Sequence, residues 1–303
     1  MEGYLGLTGH YISNEWELKA KVLATRKIRN RHTGDNIARE IKKLMDEFQI
    51  VSCAALTTDN TSNMSVAAGI LKYRHVGCFA HTLQLGIEDG LKVPQISKTL
   101  SVSRQLVGHF NHSVIATDGL LSKQEGPQKL KLIQDVQTRW NSSYLMIERL
   151  LKLRVPIYGV LFDDKLTKIG DRAKLDMKDS YWKIIEDIIP VLEPLAEITE
   201  VLGKESEPTG SSVYILIKNV FSQVLRSELG DSCALKDLKS KIREGLQKRF
   251  HVDGNGVPED NILNSPLLMA SLLDPRYKSL IGRDVLSPDQ RDLLHKSLSL
   301  LIL

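Results

Sequence analysis

Alternating apolar and polar positions dominate the first part of the chain. Residues 4–12 and 16–24 both have the composition of strands, and the second places apolar side chains at every other position from Trp16 to Ala24. The residues between them, SNE, are typical of a tight turn. The chain is therefore predicted to begin with a β-hairpin.

A helical period follows the hairpin. Thr33 offers an N-cap and Asp35 a carboxylate in the first turn, where the helix dipole favours it. The apolar positions that repeat at helical spacing are Ile37, Ile41, Leu44, Met45 and Phe48. The run IVSCAAL at residues 50–56 then predicts a strand that is buried on both faces.

Three further short elements complete this region. SVAAGILK (65–72) predicts a helix, HVGCFA (75–80) a strand and HTLQLGIEDGL (81–91) another helix. To about residue 92 the predicted order is β-β-α-β-α-β-α, which indicates an α/β sheet domain that begins with a hairpin.

In the rest of the chain, apolar residues repeat only at helical spacing. Apolar faces recur at residues 102–110, 182–202, 213–224 and 235–250, and no segment alternates with period two. Pro190 and Pro194 predict a kink or a break in the helix that contains them. Residues 251–261 predict a loop. The predicted division is an α/β part at 1–92 and an all-helical part at 93–303.

Composition and charge narrow the class of protein. The 303 residues are 42% hydrophobic and 26% charged, as in a soluble globular protein, and the net charge is +4. Basic residues cluster at 26–32 and 235–250, which is a weak indication of binding to polyanions.

The cysteines, Cys53, Cys78 and Cys233, are far apart and form no C-x-x-C pair, so we expect reduced thiols. A signal pattern and a membrane-length apolar run are both missing from the sequence, so we expect an intracellular protein without a membrane partner.

Asp59 is the first candidate for chemistry. It follows an apolar segment and precedes a helix, in AALTTDNTSNMSVAAG (54–69). A carboxylate at the end of a strand can hold a metal or a ligand at the edge of a sheet. Asp59, Asn60 and Ser62 are equally the residue types that cap a helix. On the local sequence the cap is the favoured interpretation, and the metal ligand is the alternative.

Two further motifs carry candidate groups. In HVGCFAHTLQL, His75, Cys78 and His81 are spaced three apart. Histidine and cysteine are zinc ligands, but a structural zinc site would need a fourth ligand. A buried thiol beside a hydrogen-bonded histidine is therefore the favoured interpretation. In DVQTRWNSSYLMIERL, Arg139 and Trp140 stand before a helix whose predicted cap is Asn141. Trp140 could stack on a nucleic-acid base while Arg139 holds a phosphate, or it could anchor the core.

The order of these motifs, closed by LLDPRYKSL near the end, resembles the hAT-superfamily transposases. The resemblance is strongest to their domesticated descendants, the zinc-finger BED-domain proteins, and it spans nearly all of the chain. It implies a ribonuclease H-like (RNase H-like) core with a large all-helical insertion domain. It also implies that Asp59 occupies the second acidic position of a D-D-E triad, that Cys78 and His81 match a C-x-x-H element near the active site, and that Trp140 matches a base-stacking tryptophan.

The departures from the family pattern set the functional expectation. The family's first Asp precedes the hairpin and its Glu follows with a dimerisation segment, so we expect an N-terminally truncated core with one acid of three. Two divalent cations need several carboxylates, so we expect no metal or other cofactor; Mg²⁺ or Mn²⁺ would belong to a complete family member. The other acids considered, without a metal role, are Glu88, Asp89, Asp135, Glu148 and Asp164.

The expected function is therefore non-enzymatic. The leading hypothesis is a catalytically inactive transposase-like protein of the nucleus, which binds DNA and nuclear proteins and regulates transcription, and whose dimerisation segment is missing. The alternatives are a protein-interaction scaffold without direct DNA binding, and an active nuclease or transposase in a longer product of the same gene.

Overall fold

The structure is a computed structural model, and it describes residues 3–203, 209–258, 265–277 and 279. The chain divides into two compact units, Met1–Thr82 and Leu83–Leu303. We call them the α/β unit and the helical unit and describe each by itself. The sequence-predicted boundary at residue 92 stays a prediction.

The α/β unit contains the predicted order of elements. Its elements are β1 (Gly3–Ile12), β2 (Leu18–Ile28), α1 (Gly34–Glu47), β3 (Leu56–Thr58), α2 (Ser62–Leu71) and β4 (His75–Gly77), followed by α3 (Phe79–Leu91), which continues into the helical unit. The β-β-α-β-α-β-α succession is therefore confirmed.

The hairpin pairs β1 with β2 antiparallel, and its register shifts once. Leu7 lies opposite Ala24 and Thr8 opposite Val22, so Leu23 is the extra residue of a β-bulge. A one-residue insertion changes which side chains face the core. The uninterrupted alternation predicted from Trp16 to Ala24 is therefore wrong: Trp16 lies in the turn with φ 62° and is 87% exposed.

The first helix follows its sequence signals closely. The Thr33 side chain accepts a hydrogen bond from the Asn36 N–H, and Asp35 lies in the first turn, as predicted. Buried side chains of α1 form one core cluster with residues of β1 and α2, namely Leu5, Ile37, Ala38, Ile41, Leu44, Met45 and Ala67. Phe48 is the exception to the predicted face, because it is the C-cap residue and is 41% exposed.

The predicted buried strand at 50–56 is wrong over most of its length. Val51 is 94% exposed, and β3 begins only at Leu56. β3 pairs parallel with β4, while β1 and β2 form a separate sheet, so the described strands make two two-stranded sheets rather than one. The physical reason is that residues 51–55 have no neighbouring strand to satisfy their backbone groups within the described residues. The strand predicted at 75–80 likewise ends at Gly77.

The helical unit is all-helical in its described residues, as predicted. Its helices are α4 (Pro94–His112), α5 (Val114–Ser122), α6 (Trp140–Lys152), α7 (Arg154–Leu161), α8 (Ile169–Leu175), α9 (Asp179–Leu202), α10 (Val213–Asn219), α11 (Cys233–Phe250) and α12 (Pro266–Leu273), with a short 3₁₀ turn at Gly210–Ser212 and a π-helical turn at Val220–Val224. The predicted loop at 251–261 is confirmed through residue 258; its last residues lie outside the described part.

Two local predictions for this unit are corrected. The helix α9 continues through Pro190 and Pro194, so the predicted break is wrong, whereas the predicted kink stays a prediction; the apolar face around them packs against other helices and stabilises the helix despite the missing N–H groups. The helix α6 begins at Trp140 with Arg139 at the N-cap, so Asn141 is not the cap. No described helix combines the length and apolarity that a membrane crossing requires.

Candidate functional site

The ends of β3 and β4 bring the first group of candidate residues together. Parallel pairing places Thr58 beside Gly77, so the next residues, Asp59 and Cys78, emerge at the same edge. The Cys78 N–H donates to the Thr58 carbonyl over 2.7 Å, which continues the pairing by one step. The structure therefore places Asp59 next to the segment that carries Cys78 and His81.

Asp59 is exposed, and its contacts with the described residues are local. Its Oδ1 accepts a hydrogen bond from the Thr61 hydroxyl over 2.9 Å and approaches the Thr61 N–H at 3.5 Å. The N-cap residue of α2 is Thr61, so the prediction that Asp59 itself caps the helix is wrong. Asp59 also lies on the lining of a largely apolar cavity of about 1190 Å³ whose walls include β1, α1 and β3.

The polar neighbours of Asp59 are hydrogen-bonded to one another. Asn60 Nδ2 donates to the Thr82 hydroxyl over 2.6 Å, and His75 Nε2 lies 2.8 Å from the Thr58 hydroxyl. Gly77 makes the first contact possible, because a Cβ at that position would lie 2.1 Å from Asn60 Oδ1. These bonds fasten the β3–α2 connection to the β4–α3 connection.

Cys78 and His81 lie at the start of α3. The Cys78 carbonyl accepts from the Thr82 hydroxyl over 2.9 Å, and both Cys78 and His81 are half-buried. Among the residues that the structure describes, no three His, Cys, Asp or Glu side chains are grouped so that they could hold a metal ion. The role near an active site that the resemblance implies for Cys78 and His81 stays a prediction.

Arg139 and Trp140, in the helical unit, have opposite environments. Arg139 is exposed, whereas Trp140 is 2% exposed at the first position of α6. The Trp140 indole N–H has no hydrogen-bond partner within the described residues, contrary to the expectation for a core anchor. Its buried face is closed to a base in this conformation, and base stacking by Trp140 stays a prediction.

A buried ion pair fixes the segment that leads to Arg139 and Trp140. Asp135, whose side chain is fully inaccessible, accepts two hydrogen bonds from Arg104 Nε at 2.9 and 3.0 Å and one from Arg104 Nη2 at 2.7 Å. The Ser143 hydroxyl donates to the same carboxylate over 2.7 Å. Burial acts to raise the pKa of Asp135, but these hydrogen bonds and the Arg104 charge hold it below its usual value.

Further bonds complete this anchor. The Ser142 hydroxyl accepts from the Val136 N–H over 2.8 Å, and Gln84 Nε2 donates to the Thr138 carbonyl over 2.9 Å. Residues 135–138 are thus attached to α3, α4 and α6 immediately before Arg139. The sequence identifies Asp135 only as an acid; it does not reveal the partners Arg104 and Ser143, because they are distant in sequence and no spacing rule connects them.

The other acids named from the sequence also have partners. Asp89 pairs with Arg249 at 2.6 Å, Asp164 with Arg172 at 2.5 Å, and Glu148 with Lys152. Glu88 accepts from Gln84 Nε2 over 2.9 Å. Each of these side chains therefore has a structural contact within the helical unit.

The two basic clusters differ in how their cations are used. In α11, Lys239 pairs with Asp231 at 2.9 Å, and both side chains are buried. Arg243 donates to the carbonyls of Phe221, Leu225 and Gly254 over 2.7 to 2.9 Å and lies 4.9 Å above the Phe221 ring. Much of the α11 cluster is therefore structural, whereas Arg29, Arg31 and His32 of the first cluster are exposed.

The described fold is an α/β unit followed along the chain by a helical unit. Two family models match the chain in tandem, the ZBED1 RNase-like domain over residues 1–77 and the ZBED1 RNase-like helical domain over residues 76–190. The chain belongs to the hAT-transposase-derived, zinc finger BED-type proteins.

Three curated relatives show the range of this family. The putative transcriptional regulator tpeD of Talaromyces stipitatus is 23% identical over 84% of this chain and 33% of its own length. The putative AC transposase of Zea mays is 23% identical over 92% of this chain and 35% of its own. Human zinc finger BED domain-containing protein 4 is 21% identical over 97% of this chain and 25% of its own. The chain thus spans between a quarter and about a third of each relative.

Proposed function

We propose that this chain is a domesticated, catalytically inactive hAT-transposase-like protein of the nucleus, which acts in transcription regulation through DNA- or chromatin-associated binding. The names of its relatives support this proposal, since they include a putative transcriptional regulator and several zinc finger BED domain-containing proteins beside putative transposases. Its partners in this role are DNA and nuclear proteins.

The finer proposal for the fold is an RNase H-like core with the helices as an insertion domain. Among the described residues, β1 and β3 each pair with a strand on one side only, and both line the cavity of about 1190 Å³. This geometry supports a core in which a further strand would lie between them. Asp59, at the end of β3, would then descend from a metal ligand.

The observation that carries the non-enzymatic proposal is the hydrogen bonding around Asp59. The carboxylate accepts from Thr61, Asn60 donates to Thr82, and His75 bonds Thr58. A metal-dependent nuclease keeps such groups available to hold two cations about 3.5–4 Å apart. Here each of these groups is hydrogen-bonded to a threonine, and the bonds stabilise the connections that follow β3 and β4.

A nicking assay tests this part of the proposal. The purified chain is incubated with supercoiled plasmid in Mg²⁺ or Mn²⁺, beside Asp59→Asn, which preserves the shape of the side chain and removes its charge. We expect neither protein to nick the plasmid. Metal-dependent nicking by the wild type that Asp59→Asn abolishes would refute catalytic inactivity.

A second candidate function is a protein-interaction scaffold without direct DNA binding. The intramolecular partners of Lys239, Arg243 and Arg249 in α11 favour it, because these cations are not available for phosphates. A salt titration with duplex DNA separates the two functions: each phosphate contact adds about 0.9 to the log–log slope. A steep slope supports the DNA-associated role, and absence of binding supports the scaffold.

A further inference from the structure

The first basic cluster forms a concave surface in the α/β unit. A cavity of about 620 Å³ lies where the end of β2 turns towards α1. Its lining consists of Gly3, Lys27, Ile28, Arg29, Asn30, Arg31 and His32. We call this surface the basic cradle. Among the residues that the structure describes, the lining includes the exposed side chains Arg29, Arg31 and His32, which can carry positive charge, and it includes no acidic side chain.

The backbone under the basic cradle is held by several contacts. Asn36 Nδ2 donates to the Arg31 carbonyl over 2.8 Å, and Asn63 Nδ2 donates to the His32 carbonyl over 2.7 Å. The His32 ring packs on the backbone of Gly3, since a Cβ on Gly3 would lie 1.8 Å from His32 Cε1. The start of α1 and of α2 therefore both fix this turn, so the cations are presented from an ordered backbone.

The arginines of the basic cradle differ from their neighbour on β2. Arg26 forms an ion pair with Glu47, whereas Arg29 and Arg31 make no ion pair with any described residue and are exposed. An arginine with a carboxylate partner loses much of its attraction for a further anion. Arg29 and Arg31 keep theirs, and a guanidinium matches the geometry of phosphate oxygens.

We propose that the basic cradle binds phosphate groups of the duplex DNA backbone. This inference rests on the proposed DNA-associated function and assigns a surface to it. Arg29 and Arg31 contact phosphate oxygens, and Lys27 and His32 line the same concavity. Such contacts position a protein on DNA without reading its sequence.

The test is a binding titration by fluorescence anisotropy with a duplex of about 20 base pairs, between roughly 50 and 200 mM salt. The proteins compared are the wild type, Arg29→Ala/Arg31→Ala, and the control Lys98→Ala/Lys174→Ala, which removes two exposed cations from α4 and α8 of the helical unit. The control changes net charge by the same amount. Thermal melting verifies that both variants fold, as expected for exposed side chains.

We expect the cradle variant to lower the log–log salt slope by about 1.8, since two contacts at about 0.9 each are removed. The affinity ratio of wild type to variant should then shrink roughly tenfold over this fourfold range of salt. The control should keep the wild-type slope. If the wild type binds DNA and the cradle variant titrates like the control, the basic cradle is overturned while the DNA-associated function stands. If the wild type binds no DNA, both proposals are overturned.

Discussion

Replacing Asp135 by Asn is the sharpest test of how the helical unit positions Arg139 and Trp140. The substitution keeps the shape of the side chain and an oxygen that can accept from Ser143. It removes the negative charge that faces Arg104, whose guanidinium lies 2.7 to 3.0 Å from both carboxylate oxygens. Arg104 is left with a neutral partner in a largely dry environment.

The burial of the Asp135–Arg104 pair determines how much the substitution lowers the free energy of unfolding. Removing one partner of a buried ion pair costs about 3–5 kcal/mol. The Asp135 side chain is 0% exposed and that of Arg104 is 24% exposed, so solvent screens the arginine in part. We therefore expect Asp135→Asn to destabilise the protein by about 3 kcal/mol, the low end of that range. For a unit of this size, that corresponds to a fall in Tm of roughly 6–12 °C.

The assay is thermal melting followed by circular dichroism, with Arg104→Gln and the double variant to complete a double-mutant cycle. The single variants should not add, and a coupling energy of about 2–3 kcal/mol is expected for groups in direct contact. Additive single effects, or a fall in Tm below about 2 °C for Asp135→Asn, would refute the anchoring role.

The pH dependence follows from the pKa of Asp135, which the Arg104 and Ser143 contacts hold below the usual value of 3.8 despite burial. A carboxyl whose folded-state pKa is lowered contributes stability above its unfolded-state pKa and loses it as pH falls through the folded-state value. The difference in Tm between wild type and Asp135→Asn should be full at neutral pH and should narrow as pH falls below 3.8. A difference that is constant down to the acid transition would contradict this.

Three further outcomes are expected from the same melting assay. Trp140→Ala should cost about 3–5 kcal/mol, whereas Trp140→Phe, which loses only part of the ring and an unpartnered N–H, should cost markedly less; equal losses would contradict the packing role. Arg243→Ala should cost about 2–3 kcal/mol, because buried carbonyls lose a charged donor, and a neutral effect would contradict that contact. Asp59→Asn should stay within about 0.5 kcal/mol of wild type, since Asn can still accept from the Thr61 hydroxyl, and a larger loss would show a structural role beyond this turn.

Local signals predicted the succession of elements but not all of their limits. The sequence predicts the N-cap Thr33 and the apolar face of α1 because a cap and a 3.6-residue period depend only on neighbours in sequence. The apolar run 50–56 predicts a strand, but the structure has one only from Leu56, because an apolar run carries the same signal whether or not a partner strand exists. The bulge at Leu23 was invisible for a related reason, since register is a property of two strands.

For the candidate sites, too, the local sequence predicts some features and tertiary contacts decide the others. The sequence by itself predicts that Asp59 follows a strand and that His81 follows the next one, but it places Cys78 within that second strand, which the structure ends at Gly77. Only the tertiary structure decided that Trp140 is buried and that Arg104 pairs with Asp135. It likewise decided that Lys239 and Arg243, in a basic helix, make intramolecular contacts with an acid and with backbone carbonyls. The physical reason is that burial and ion pairing depend on groups tens of residues away, whereas composition and period report only the local chain.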